Sequence, residues 1–156
     1  METKRLTKLA LLTTVALIIF VVESYIPVPV PIPGIKLGLA NIITVYAAFT
    51  MTAADAVLIL VCRIVLGSLF TGTAVSMIYS LGGGALCIAV TLLLSKILSD
   101  KQIWIASVCG AICHNIGQLA VAAVVMGTLA VFAYLPALMI SAVVTGAFTG
   151  FAAQAL

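Results

Sequence analysis

The stretch Leu9–Val22, LALLTTVALIIFVV, decides the fold class. It carries no charge, and its apolar residues run on without alternating with polar ones. Inside lipid, backbone polar groups are satisfied only within helices or a closed barrel. A barrel strand shows apolar–polar alternation over segments of about ten residues. Neither this stretch nor Ala85–Leu94, ALCIAVTLLL, does so. The composition points the same way: 156 residues, 65% hydrophobic, 7% charged, mean hydropathy +1.39. A soluble domain carries roughly 25% charged residues. Seven basic side chains, four acidic ones and one histidine cannot cover a water-soluble fold of this size. The expected class is an all-α integral membrane protein whose partner is the lipid bilayer; nothing points to nucleic acid.

The lead METKR resembles the start of a signal peptide, but the apolar run behind it continues for about twenty residues without a small-residue cleavage site, so a retained first helix is expected. A span needs about 20 apolar residues. Cutting at charges, Gly/Pro clusters and small polar groups gives six transmembrane helices in a single domain, at roughly Leu6–Ile26, Lys36–Met51, Ala54–Phe70, Ala74–Leu98, Ile103–Met126 and Leu129–Ala153. With six spans, Lys4, Arg5 and Lys8 fall on the same side as Lys96 and Lys101, against Lys36 alone on the other. The positive-inside rule then places both termini in the cytoplasm. The expected location is the bacterial cytoplasmic (inner) membrane.

Between the first two spans, PVPVPIPG sets Pro27, Pro29, Pro31 and Pro33 at every second position before Gly34. Such spacing blocks α-helix and favours an extended, polyproline-like segment. Its intervening residues, Val28, Val30 and Ile32, are apolar and suit packing against the bundle. The expectation is an extracellular lid over residues 27–35; the plainer reading is a rigid connection between two helices.

Helix direction gives each polar side chain a depth. Glu23, Lys36, Asn41, Arg63, Tyr79, His114, Asn115 and Gln118 all fall between the midplane and the outer surface. The inner half holds little beyond Asp55. A charge at mid-membrane costs roughly 2.5–3.5 kcal/mol, so an intramembrane Arg63 marks a functional site by default. His114 and Gln118 share a helical face, with Gly110, Ala111 and Gly117 leaving room beside them. A substrate pocket is expected here, with Arg63 neutralising an acidic group, His114 and Gln118 orienting by hydrogen bonds, and Tyr79 or Tyr46 stacking. The plainer reading pairs Arg63 with Glu23 and uses the amides to tie helices together. Cys62, Cys87, Cys109 and Cys113 sit inside apolar runs and read as packing residues, so no metal site and no cofactor are expected.

IPVPVPIPGIKLGLANIITVYA, RIVLGSLFTGT, SLGGG and HNIGQL resemble the family labelled heptaprenyl diphosphate synthase component I, also called Gx transporters. That family is similar to the substrate-binding S-components of energy-coupling factor (ECF) transporters. The resemblance covers essentially the whole chain. It implies a six-helix S-component-like bundle with an outward-facing pocket, docking onto a transmembrane T-subunit driven by two ATPases. S-components contact the T-subunit through an Ala-x-x-x-Ala motif in helix 1; the nearest match here is Ala10-x-x-x-Thr14, which lacks the second alanine.

Three functions compete. The first is a substrate-binding subunit for ATP-driven uptake of a small, vitamin-like or precursor molecule. The chain has no Gly-x4-Gly-Lys-Ser/Thr phosphate loop, so ATPase partners would supply the energy. The second is a membrane accessory to prenyl diphosphate or quinone synthesis. A catalytic subunit needs clustered carboxylates for Mg²⁺, and Glu2, Glu23, Asp55 and Asp100 are scattered, so the chain is not expected to be an enzyme by itself. The third is an ion-coupled carrier using His114, Arg63 and Glu23, which the apolar inner half disfavours. The first reading is the one favoured.

Overall fold

The computed structural model describes residues 2–27, 35–71 and 74–156. Of the segment read above as a lid, only Pro27 is among them; Pro29, Pro31, Pro33 and Gly34 lie outside the described residues. Among the described residues six α-helices follow one another: α1 Glu2–Glu23, α2 Asn41–Thr50, α3 Ala53–Thr71, α4 Ala74–Leu94, α5 Ile103–Met126 and α6 Leu135–Gln154. Short 3₁₀ turns precede α5 and α6, and no strand occurs among the described residues. Five of the helical segments are long and apolar enough to cross a membrane. This is the composition of a multi-pass membrane protein.

Contacts fix the helix directions. At one end, Arg5 of α1 donates to Asp55 Oδ1 of α3 from Nε at 3.1 Å and Nη2 at 2.5 Å. At the other end, Phe20 of α1 lies on Gly67 of α3, where a β-carbon would meet its ring at 2.3 Å. These two helices therefore run parallel. Glycines then set the remaining neighbours close together, as small residues do between membrane helices. A β-carbon at Gly84 of α4 would touch Leu60 and Ile64 of α3. One at Gly117 of α5 would come within 2.6 Å of the Gly82 carbonyl oxygen on α4, and one at Gly150 of α6 within 2.4 Å of the Trp104 Cα. Each helix runs opposite to the one before it. Apolar packing forms one core among α1, α2 and α3 around Phe20, Ile43 and Ile59, and a second between α4, α5 and α6 around Leu119 and Leu138.

The second helix departs from expectation. It was expected to span the membrane from Lys36 to Met51, but it covers only Asn41–Thr50. At 1.5 Å per residue its ten residues reach about 15 Å, half of a hydrocarbon core of about 30 Å. The cause is local. Gly38 has φ +85°, a left-handed conformation that ends any helical path through it. The N–H groups of Gly38 and Ala40 then donate to the two carboxylate oxygens of Glu23, the last residue of α1, instead of to the preceding turn. Ala40, the N-cap of α2, has no side chain to cap with. Glu23 supplies that cap from another helix, with its negative charge at the favourable end of the α2 dipole. Non-helical backbone packed inside a membrane protein requires such internal partners.

Three smaller departures follow. α1 starts at Glu2 and stops at Glu23, and α4 ends at Leu94 instead of Leu98. The last span divides into a 3₁₀ turn over Leu129–Tyr134 and α6, which opens with Pro136 in its first turn, where a missing N–H costs nothing.

Candidate functional site

The break before α2 lies beside the largest group of buried polar side chains. Glu23, Lys36, Asn41, Arg63, Ser80, His114, Asn115 and Gln118 are each at least nine-tenths buried. They come from α1, the 35–40 segment, α2, α3, α4 and α5. Phe20, Glu23, Lys36, Gly38, Arg63, Ile64, Ser80 and His114 line a small cavity of about 10 Å³. That is room for about one water molecule.

The charged groups do not pair off. Both oxygens of Glu23 accept backbone N–H groups, and among the described residues the only ion pair is Arg5–Asp55, at the far end of α1. Arg63 donates through Nη2 to Asn41 Oδ1, which fixes the guanidinium while its Nε stays without a partner. Lys36 Nζ makes no hydrogen bond either; it sits 3.3 Å from the centre of the Phe20 ring. An ammonium over an aromatic face is held by the ring quadrupole, but all three of its donors remain unused. Asn41 Nδ2, Thr44 Oγ1, His114 Nδ1, Asn115 Oδ1 and both polar atoms of the Gln118 amide are likewise buried without partners. Most buried polar atoms in folded proteins are satisfied; three of these atoms, Lys36 Nζ, Arg63 Nε and His114 Nδ1, belong to side chains that line the cavity, which makes it the functional candidate.

Two glycines let the walls close in. A β-carbon at Gly38 would lie 2.8 Å from Asn41 Nδ2 and 3.4 Å from His114 Cδ2. At Gly83, within the SLGGG run, it would lie 2.7 Å from the His114 carbonyl oxygen and 2.8 Å from Gln118 Cγ. The glycine run of α4 is thus the surface on which the polar face of α5 rests.

Of the residues singled out in the sequence, Glu23, Lys36, Arg63 and His114 line the cavity, and Asn41 holds Arg63 from behind. Asn115 donates to the Leu138 carbonyl at 2.8 Å and so ties α5 to α6. Gln118 lies one turn beyond His114, against Gly83. The tyrosines fall elsewhere. Tyr79 is buried in the apolar cluster with Ile35 and Leu119, and Tyr46 lies under Lys8, whose Nζ is 5.5 Å from its ring centre. Phe20, Gly38 and Ser80 were not picked out by sequence reasoning. Phe20 has no polar signature, and Ser80 was read only as part of a glycine motif. Ala10 and Thr14 are exposed on α1, and the Thr14 hydroxyl donates to the Ala10 carbonyl of its own helix. Among the described residues no group of metal-ligating side chains converges.

The family described as heptaprenyl diphosphate synthase component I matches residues 12–156, nearly the whole chain. The chain belongs to that family. The match runs from α1 to the last residue and takes in every residue that lines the cavity. The name of the heptaprenyl diphosphate synthase component I family suggests a component subunit of prenyl diphosphate synthesis, which works alongside others. No curated protein and no solved structure matches the chain.

Proposed function

We propose that this chain is a non-catalytic, substrate-binding membrane subunit that captures a small anionic molecule, vitamin-like or a biosynthetic precursor, for uptake driven by partner subunits. One observation carries the reading: two buried cations, Lys36 and Arg63, share a cavity with a single carboxylate that is already engaged by backbone N–H groups. A structural ion pair would spend its charges on each other; this arrangement leaves positive charge available. The cavity is far smaller than the roughly 300–1,000 Å³ of typical small-molecule sites. Capture therefore entails moving side chains, and Lys36, whose ammonium makes no hydrogen bond and lies over the Phe20 face, is a candidate to move. ECF-type T-subunit and ATPase partners fit a chain with no phosphate-binding loop of its own, and Ala10 and Thr14 present a small-residue face to such a partner. Lys4, Arg5, Lys8, Lys96 and Lys101 favour a cytoplasmic side for the end bearing Arg5 and Asp55 in a bacterial inner membrane.

The family name favours a second reading, a membrane accessory to a prenyl diphosphate synthase. Native mass spectrometry of the full chain in mild detergent separates the two. A discrete small molecule released on activation, and lost in Arg63→Met and His114→Ala variants that still fold, supports capture. Copurification of a soluble prenyl synthase, with no retained molecule and no effect of the Arg63 variant, supports the accessory role.

A further inference from the structure

Lys36 and Arg63 carry two positive charges against the one negative charge of Glu23, with histidine counted neutral at pH 7. Lys36 is 6% exposed and Arg63 2%, so solvent does little to screen the surplus. An unpaired buried charge is costly, and a partner of equal and opposite charge relieves it. Two cavity-lining groups also hold donors without acceptors, Lys36 Nζ and Arg63 Nε, and Asn41 Nδ2 lies behind Arg63 without one.

We propose that the site takes its ligand by one singly charged carboxylate, set between the Lys36 ammonium and the Arg63 guanidinium, and that it discriminates against phosphate and diphosphate groups. This rests on the capture reading and gives it a substrate class. A carboxylate offers two oxygens and one charge, which brings the cluster to neutrality. A dianion overshoots it and buries a net negative charge beside Glu23. When Lys36 turns to the carboxylate, it uncovers the Phe20 face that its ammonium now occupies. An aromatic or unsaturated part of the ligand gains that face. The chemistry expected is an acid with an apolar or ring-bearing body, not a prenyl diphosphate.

The test uses the full chain in lipid nanodiscs and three probes sharing one ring: benzoate, phenyl phosphate and benzyl alcohol. Thermal unfolding is followed as each is titrated into the wild type and the Lys36→Met and Arg63→Met variants. Benzoate should raise the wild-type midpoint in a saturable way. Phenyl phosphate and benzyl alcohol should bind at least about tenfold more weakly, a gap of about 1.4 kcal/mol. Both variants should lose the benzoate effect, and Lys36→Met should be no less stable than the wild type without any probe. Phenyl phosphate binding as tightly as benzoate, with both variants inactive, overturns the charge rule and leaves the capture reading standing. Absence of a response to every probe, with Lys36→Met strongly destabilised, makes the cluster a structural tie and overturns both.

Discussion

Replacing Glu23 with Gln tests the central arrangement, because one carboxylate does two jobs. It caps the start of α2 through the N–H groups of Gly38 and Ala40, and it is the cavity's only negative charge. Glutamine keeps the shape, leaves one acceptor oxygen and turns an NH2 group towards the other N–H. A hydrogen bond to a charged group contributes about 1.5–3 kcal/mol. Removing one side of a buried charge cluster costs about 3–5 kcal/mol, because the opposite charges remain uncompensated. Glu23 is 3% exposed, so the buried figure applies. The expected loss is about 3–5 kcal/mol, or on the order of 10 °C in Tm for a chain of this size. Thermal unfolding in nanodiscs measures it, with fluorescence of Trp104, the chain's one tryptophan, as the reporter. Adding Lys36→Met to Glu23→Gln removes a surplus cation and should restore part of the loss, as coupled sites do. A Glu23→Gln protein within about 1 kcal/mol of wild type would refute the reasoning. So would a Lys36→Met variant as unstable as Glu23→Gln, since Lys36 would then be a structural partner.

Three further outcomes are expected. Gly38→Ala meets both a positive φ and Asn41 Nδ2 at 2.8 Å, and should cost about 1–3 kcal/mol in the same unfolding assay. Gly117→Ala places a methyl 2.6 Å from the Gly82 carbonyl oxygen, so α5 must move off α4; a loss of about 1–3 kcal/mol is expected, and a crosslink between the two helices should form less readily. Benzoate should give saturable heat in an isothermal titration of the wild type and none with Lys36→Met, whose side chain no longer offers a cation to the cavity.

The sequence is most legible where one residue carries one meaning. Unbroken apolar runs fix helices, and helix direction puts Glu23, Arg63 and His114 at a common depth, where the structure brings them around one cavity. Legibility fails where the decisive interaction crosses the chain. LGLAN reads as the start of a helix because leucine and alanine favour one; the helix starts later because Gly38 takes a positive φ and its N–H, with that of Ala40, turns to Glu23, fifteen residues before Gly38. Tyr46 and Tyr79 show a second limit. Helical periodicity assigns a face only when the faces differ in polarity, and α2 and α4 carry too few polar residues for it to place a tyrosine. Nothing local distinguishes a tyrosine in the core from one beneath Lys8.

The two limits meet at one place, and that bears on mechanism. A full-length second helix would satisfy its own backbone and leave Glu23 free to pair with Lys36 or Arg63, cancelling the charge an anion needs. Breaking the helix at Gly38 engages the carboxylate with backbone donors and leaves the cations in surplus. The same break makes α2 about half a membrane long, so residues 35–40 reach the cavity as connecting backbone, and Lys36 arrives on a segment that Glu23 holds by its backbone, with Ile35 and Ala40 buried in the two apolar cores. An anion that draws Lys36 off Phe20 therefore acts on the segment that α1 clamps through Glu23. Because α1 also carries the exposed Ala10 and Thr14 face, cavity and candidate docking surface share one helix.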